Sequence, residues 1–256
     1  MPLIQSVERA LTILDLFDEY APELKITEIS ERMHLNKSTV HSLLKTLEKH
    51  GYIEKEADNG KYRLGMKLFE RGNFVVYNLD IRSVAKKYLL DLSMKTGHTI
   101  HLVILEEKEG VYIDKVEGTS GNVQYSRIGR RAPIHSTGVG KILVAFKKED
   151  EIANILDGYI FEKRTANTLT NQQDFLNELD KIRNQGYAID HEENEPGICC
   201  IAFPIHNHTG EVIAAFSLSM PTPQLNTDQL NAMTSMMQDT AKQISRQMGY
   251  KPELNL

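Results

Sequence analysis

Residues 26 to 64 constrain this chain more tightly than any other stretch: ITEISERM, a two-residue break, NKSTVHSLLKTLEKHGYI and a KYRL segment follow in that order. Ile26, Ile29 and Met33 recur at helical spacing opposite Glu28, Ser30, Glu31 and Arg32, with Thr27 as the expected N-cap. His34 and Leu35 turn tightly into Asn36, whose side chain is expected to cap a second helix. In that helix Val40, Leu43, Leu44 and Leu47 make one apolar stripe, and Gly51 stands where a helix takes a left-handed residue. The opposite face carries Lys37, Ser38, Thr39, His41, Ser42, Lys45 and Lys49. These are hydrogen-bond donors rather than a Glu/Lys checkerboard, and a helix that reads a DNA groove needs such a face.

From Tyr52 to Gly65 apolar and polar residues alternate around Asp58-Asn59-Gly60, and Asn-Gly is a strong hairpin signal. An earlier helix is expected from Val7, Leu11, Leu14 and Phe17, with Ser6 as its cap. Three helices and a hairpin read as a winged helix-turn-helix; the plain alternative is a small helical subdomain with a hairpin. The expected DNA contacts are Asn36, Lys37, Ser38, Thr39, His41, Ser42 and Lys45 of the second helix and Lys61 of the wing.

Charge qualifies that reading. The chain carries a net charge of -5, and residues 1 to 65 hold 9 Lys+Arg against 11 Asp+Glu. Between Arg32 and Lys49, however, the only acid is Glu48, against Arg32, Lys37, Lys45 and Lys49. So bipolar a domain can turn its basic side to phosphate, and with few cations per subunit useful affinity calls for two or more such domains on one site. At 256 residues the length fits two domains, and 41% hydrophobic residues suffices for ordinary cores. No apolar run approaches the ~20 residues of a membrane span, and the start has no signal-peptide pattern. Adjacent Cys199 and Cys200 argue against a structural disulfide, and a cytoplasmic setting is expected.

Residues 66 to 79 read as a linker helix with Leu68, Val75, Val76 and Leu79 apolar and Gly72 as an interruption. Beyond it a helix ending at Gly97 leads into a hairpin over TIHLVILEEKEGVYIDKVEG. Strands are expected at 122 to 128, 187 to 190, 198 to 206 and 211 to 219, and helices at 138 to 147, 149 to 156, 171 to 185 and 227 to 248. That order gives an α+β domain with an antiparallel sheet. The expected organisation is therefore a winged helix-turn-helix at 1–65, a linker helix at 66–80, a sheet domain at 81–250 and a tail at 251–256.

Three places in the second half carry candidate chemistry. In HSTGVGKILVAF, Ser136, Thr137, Gly138 and Gly140 open a helix whose first amides can hold a small anion such as a carboxylate, or merely cap the helix. His135 and Ile142 depart from the Walker pattern, so ATP is not expected. In YAIDHEENEPGICC, Asp190 ends a short strand and Cys200 opens the next; in AAFSLSM, Ser217 and Ser219 project from one strand face.

SVERALTILDLF, the ITEISERMHLNKSTVHSLLKTLEKHGYI core, YRLG and GRRAPIHSTGVGK, in that order, resemble the IclR family of bacterial transcription regulators over residues 6 to 248. The resemblance implies a GAF-like effector-binding fold for the second domain and subunit pairing through the first and linker helices, though a plain interdomain helix would carry the same letters. It also implies an effector pocket built from Gly138, Val139, Asp190, Cys200, Ser217 and Ser219, and a homodimer or tetramer. Many relatives have Arg at the position of Ser42, so the operator sequence does not carry over. The function implied is a DNA-binding regulator, a repressor first, whose affinity for double-stranded operator DNA responds to a small organic or sugar acid. Asp190 would accept hydrogen bonds from the hydroxylated or protonated end of that acid.

The rival class is a small-molecule-binding or thiol-dependent enzyme with a vestigial DNA-binding module. No CxxC, GxSxG or HExxH occurs, no base is identifiable for the thiols, and no residue is nominated as catalytic. His206 with His208, and His98 with His101, offer imidazole pairs but no third and fourth ligand, so no metal and no cofactor is expected.

Overall fold

A computed structural model describes residues 3–18, 20–77, 80–119, 126–222 and 227–251. The chain divides into two compact units, Met1–Asn78 and Leu79–Leu256.

The first unit is built from α1 (Gln5–Asp15), α2 (Ile26–Met33), α3 (Lys37–Lys49), strands β1 (Ile53–Lys55) and β2 (Tyr62–Leu64), and α4 (Met66–Tyr77). Ile13, Phe17, Leu24, Ile29, Val40, Leu44, Ile53 and Tyr62 form its core. The wing is antiparallel with Glu54 opposite Arg63, and Leu24 adds a bridge to Tyr62 through two backbone hydrogen bonds of 3.0 and 2.8 Å. Both helix stops are Schellman turns. At the end of α2, His34 takes φ 52° while the Leu35 amide reaches Ser30 O. At the end of α3, Gly51 takes φ 75° and the Tyr52 amide reaches Leu47 O at 3.0 Å. A Cβ at Gly51 meets the left-handed penalty, so Gly51→Ala is expected to cost about 1–2 kcal/mol in a urea melt. An unchanged midpoint would show that the turn tolerates a side chain.

Several local expectations are corrected. Helix α2 begins one residue before Thr27: Lys25 is the N-cap, and its amide donates to Glu28 Oε2 at 2.7 Å. Asn36 holds the N-cap position of α3 with extended backbone, but its side chain makes no capping bond. Ser6 lies inside α1, because Ile4 takes the cap position. Of the expected stripe, Phe17, just beyond α1, is buried and Leu14 packs partly buried against the core, but Val7 and Leu11 are 52% and 58% exposed; α1 turns Ile13 inward and leaves Leu3, Ile4, Val7 and Leu11 outside. Gly72 does not interrupt α4, where Met66 and Phe69 are also exposed. The side chains of Val75, Val76 and Leu79 lie outside the described residues.

The second unit runs α5 (Asp80–Thr96), β3 (Thr99–Glu106), β4 (Glu109–Val116), β5 (Arg131–Pro133), α6 (Gly138–Ala145), α7 (Glu149–Leu156), α8 (Gln172–Gln185), β6 (Ala188–His191), β7 (Ile198–His206), β8 (Val212–Pro221) and α9 (Thr227–Gln247). Its six strands form one antiparallel sheet in the order β5-β4-β3-β8-β7-β6. The architecture is thus α+β in two parts, as expected. The short strand β5 was not foreseen, because RAP carries no alternation. Of the strand expected at 122–128, residues 122–125 lie outside the described residues, and 126–128 form no strand. The expected tail, beyond Lys251, also lies outside them.

Alternation along the strands gives the sheet two unlike faces. Ile100, Leu102, Cys199, Ile201, Phe203, Phe216 and Leu218 pack with Leu89 and Leu92 of α5 and with Met237 and Ile244 of α9. Val103, Ala188, Ala202 and Ala215 face the other way, onto Val139, Ile142 and Leu143 of α6 and Phe175 and Leu179 of α8. Neighbouring Cys199 and Cys200 therefore point to opposite faces and cannot pair with each other. Among the described residues no helix is long and apolar enough to cross a membrane.

Candidate effector pocket and DNA-contacting face

The register of the sheet draws the candidate pocket together. Asp190 stands opposite Cys200, Cys200 opposite Ser219, and Ser217 opposite His101, all on the α6 side of the sheet. They line one cavity of about 270 Å³, with Gly138 and Val139 at the first turn of α6. All six residues expected in the pocket are therefore in its wall, and the sheet unites them although they span 82 positions of sequence from Gly138 to Ser219.

Thr137 caps α6, its Oγ1 accepting the Gly140 amide at 3.1 Å. The preceding first-turn amides, of Gly138 and Val139, have no intrahelical acceptor by helix geometry, and both residues line the cavity at the positive end of the dipole. A Cβ on Gly140 would stand 2.5 Å from Ile134 Cα and Pro133 O, so glycine there lets α6 sit against the β5 strand. Lys141, the next residue, is fully buried, and its Nζ donates to Glu193 Oε1 at 2.6 Å and Ile189 O at 2.7 Å. This lysine ties α6 to the turn that follows β6.

Asp190 is 3% exposed, and its Oδ1 accepts the amides of Glu193 at 2.7 Å and Asn194 at 3.4 Å. Burial pushes its carboxyl up to about 7, which the two amides and Lys141 only partly offset. Asp190 is thus held closer to its uncharged form at neutral pH than an ordinary carboxylate. Next along the row, Cys200 Sγ lies 3.1 Å from Ser219 Oγ, and Ser219 Oγ lies 3.4 Å from His101 Nδ1. Burial holds His101 down to about 3, so it is neutral and its ring bridges Ser219 to Ser126. Sequence reasoning missed His101 as a wall residue. It also missed Tyr112, Ser126, Arg130, Arg164 and Glu195, which also line the cavity. Alternation within β3 could have flagged His101, because it shares the parity of Thr99 on a strand otherwise apolar; the loop residues gave no such signal.

The cysteines are poorly suited to nucleophilic chemistry. Burial pushes the Cys199 thiol up to about 12, although His191 Nδ1 lies 3.5 Å away, and pushes Cys200 well above the ordinary thiol range. A nucleophilic cysteine needs the opposite shift. His206 stacks on Tyr250 at 4.8 Å rather than pairing with His208. Among the described residues no group of three His, Cys, Asp or Glu side chains could hold a metal ion.

In the first unit, Asn36, Lys37, Ser38, His41, Ser42 and Lys45 are exposed along one side of α3, and Thr39 is half-buried. The Ser42 hydroxyl donates to Ser38 O at 3.1 Å, which keeps it against its own helix but leaves its lone pairs outward. Lys61 on the wing lies 3.6 Å from Glu23, so this cation is shared with an acid before any phosphate arrives. Arg63, which the sequence reading passed over, is held by Glu54 at 3.0 Å and by Glu56.

Both halves match known family models. Residues 6–57 match the IclR helix-turn-helix domain, and residues 73–246 match the bacterial transcriptional regulator IclR C-terminal domain. The chain is 53% identical over 250 residues to the HTH-type transcriptional regulator XynR of Escherichia coli, covering 98% of this chain and 99% of that one. With KdgR of the same organism it shares 40% over 247 residues, covering 96% and 94%. The crystal structure of the Thermotoga maritima IclR superposes with a TM-score of 0.78 at 35% identity, covering 96% of this chain and 99% of that one. A groove-sized helix with a donor-rich face, a polar cavity over an antiparallel sheet, and matches to both family models over nearly the whole length lead to one conclusion: the chain belongs to the IclR family of transcriptional regulators.

Proposed function

We propose that this regulator binds operator DNA through α3 and the wing, and that a small organic or sugar acid in the second unit's cavity changes that affinity. The observation that carries the effector half is the convergence of Asp190, Cys200, Ser217 and Ser219 on the first turn of α6 within one buried, polar cavity. The ligand's carboxylate sits at the Gly138 and Val139 amides, and in place of the accepting role expected from the sequence a neutral Asp190 donates to it, because burial raises its carboxyl; hydroxyls of the ligand meet Ser217 and Ser219. A ligand shifts operator affinity only by binding two arrangements of the regulator unequally.

On the DNA side, Asn36, Lys37, Ser38, Thr39, His41, Ser42 and Lys45 face the groove and Lys61 reaches a phosphate after leaving Glu23. With Ser42 where many family members carry arginine, base reading rests on shorter side chains, and binding draws on phosphate contacts from more than one subunit. The exposed Leu3, Ile4, Val7 and Leu11 face of α1 supports pairing into a homodimer or a tetramer, since an apolar helix face left in water marks an interface. Repression is the preferred mode; relatives named AllR, 32% identical, are called repressors.

The direct test is fluorescence anisotropy with DNA from upstream of the protein's own gene, random competitor and a salt series, followed by titration of acids. Saturable binding that survives competitor and moves with an acid supports the proposal; acids without effect would remove the effector half. If Lys45 contacts phosphate, Lys45→Ala is expected to weaken binding to all sequences and to lower the salt slope by about 1. A slope equal to wild type would take Lys45 out of the interface.

A further inference from the structure

We propose that Glu54 and Arg63 form a joint between the wing and the first turn of α4, and that this joint sets operator specificity by holding α3, the wing and α4 as one rigid body without itself touching DNA. The proposal rests on the reading above that α3 and the wing meet the operator, and adds to it two positioning residues. Its starting point is a glycine that close packing requires. A Cβ on Gly65 would stand 2.2 Å from Gly51 O and 3.0 Å from Tyr52 C, so no side chain fits there. Gly65 is the residue just before α4, the position at which a helix commonly carries its own capping side chain. The tight approach therefore leaves α4 without a cap of its own.

Glu54 of β1 supplies one. Its Oε1 accepts the Met66 amide, the first of α4, at 3.3 Å, and a carboxylate suits the positive end of a helix. Its other oxygen, Oε2, accepts from Arg63 Nε at 3.2 Å and Nη2 at 3.0 Å, directly across the two strands of the wing. One carboxylate thus ties both strands to the start of α4. The end of α3 joins the same point through the backbone: Tyr52 O accepts the Gly65 amide at 2.9 Å and Gly51 O accepts the Lys67 amide at 3.3 Å. Arg63 and the Met66 amide hold the Glu54 carboxyl below its ordinary range, which keeps the tie charged at neutral pH.

The charges disfavour the simpler role for Arg63, a phosphate contact. Its guanidinium lies between Glu54 and Glu56, so the trio is negative and a phosphate would meet two carboxylates. Its Nε, Nη1 and Nη2 each already donate to one of them. Both members of the Glu54–Arg63 pair are nearly half exposed, and such a pair adds little to overall stability. Reading a groove, by contrast, needs side chains placed to within about 0.5 Å. The effect of the joint therefore falls on recognition rather than on folding.

The full chain first selects its operator from a pool of random duplexes. Fluorescence anisotropy then gives affinities for that operator and for random DNA, across a salt series, for wild type, Glu54→Ala and Arg63→Met. Each variant is expected to lose about tenfold in operator affinity, the worth of roughly one base contact, while its affinity for random DNA stays within about twofold of wild type. For Glu54→Ala this runs against simple electrostatics, since deleting a negative charge beside DNA would by itself tighten binding to every sequence. In Arg63→Met the salt slope should be unchanged, and both variants should melt within a few degrees of wild type. An operator-to-random ratio equal to wild type in either variant overturns the proposal. So does a slope lowered by about 1 in Arg63→Met, which would make Arg63 a phosphate contact. A parallel loss of operator and random binding overturns it as well, because damage to the fold would then account for the effect. If the wild type selects no sequence at all, the DNA reading fails and the joint falls with it.

Discussion

Asp190→Ala is expected to weaken binding of an acid effector by about 10- to 100-fold, corresponding to a lost hydrogen bond to a charged group worth about 1.5–3 kcal/mol. The conservative variant separates charge from shape. Asp190→Asn keeps an acceptor for the Glu193 amide, which the carboxylate takes at 2.7 Å, and holds the side chain neutral at every pH. Wild-type affinity for a carboxylate should be highest when Asp190 is protonated and should fall as pH rises through about 7. Between pH 6 and pH 8 the drop is about tenfold for a single proton lost at about 7. In Asp190→Asn that slope should vanish. The same group affects the fold with a definite sign: its folded pKa is raised, so its stabilising share is full below the ordinary carboxylate range and is lost as pH rises through about 7. Asp190→Asn is thus expected to melt higher than wild type at pH 8, with the gain shrinking toward pH 5. Calorimetry at three pH values reads both effects, and a flat wild-type affinity profile would remove Asp190 from the ligand's carboxylate.

Lys141→Ala is the largest expected loss of stability. The lysine is fully buried, donates to Glu193 at 2.6 Å and Ile189 O at 2.7 Å, and has Glu178 at 3.7 Å. Truncating it leaves the Glu193 carboxylate, 8% exposed and already pushed up by burial, without its cation. Breaking a buried pair from one side costs about 3–5 kcal/mol, and at about 2–4 °C per kcal/mol for a unit of this size the melting temperature should fall by roughly 6–20 °C. Because an orphaned Glu193 can protonate, the loss should be worst at high pH. Removing both charges together, as Lys141→Met with Glu193→Gln, should recover much of it, since paired buried charges stabilise little net. A single variant within about 1 kcal/mol of wild type would show that the ion pair is dispensable.

Both predictions depend on residues whose roles were unequally visible before the fold was known. Gly138, Asp190, Cys200, Ser217 and Ser219 came from a resemblance, and the sheet supplied the reason they belong together: antiparallel register sets Asp190, Cys200 and Ser219 in one row. Lys141 follows a glycine-rich turn, with nothing in its neighbours to announce a buried ion pair, because its partner lies 52 residues downstream. His101 sat in plain view within an apolar strand and was read only as half of an imidazole pair. Arg164 and Glu195 belong to irregular segments, where side-chain direction follows hydrogen bonds such as those of Thr165 and Thr168 rather than any period.

The same division runs through the first unit. Helical period and turn chemistry by themselves determined α2, α3 and the wing, down to the left-handed Gly51, because those signals act between residues a few positions apart. The side of α1 that turns inward did not follow from its own letters. Leu3, Ile4, Val7 and Leu11 form as good an apolar stripe as Ile13 with Phe17, and only packing against α3 and the wing decided between them. What the sequence determined was therefore most of the elements, their order and the exposed, donor-rich face of α3, all encoded in local spacing. The tertiary structure alone decided which distant side chains share the cavity, because burial, ionisation and register arise only when strands far apart in the chain lie side by side.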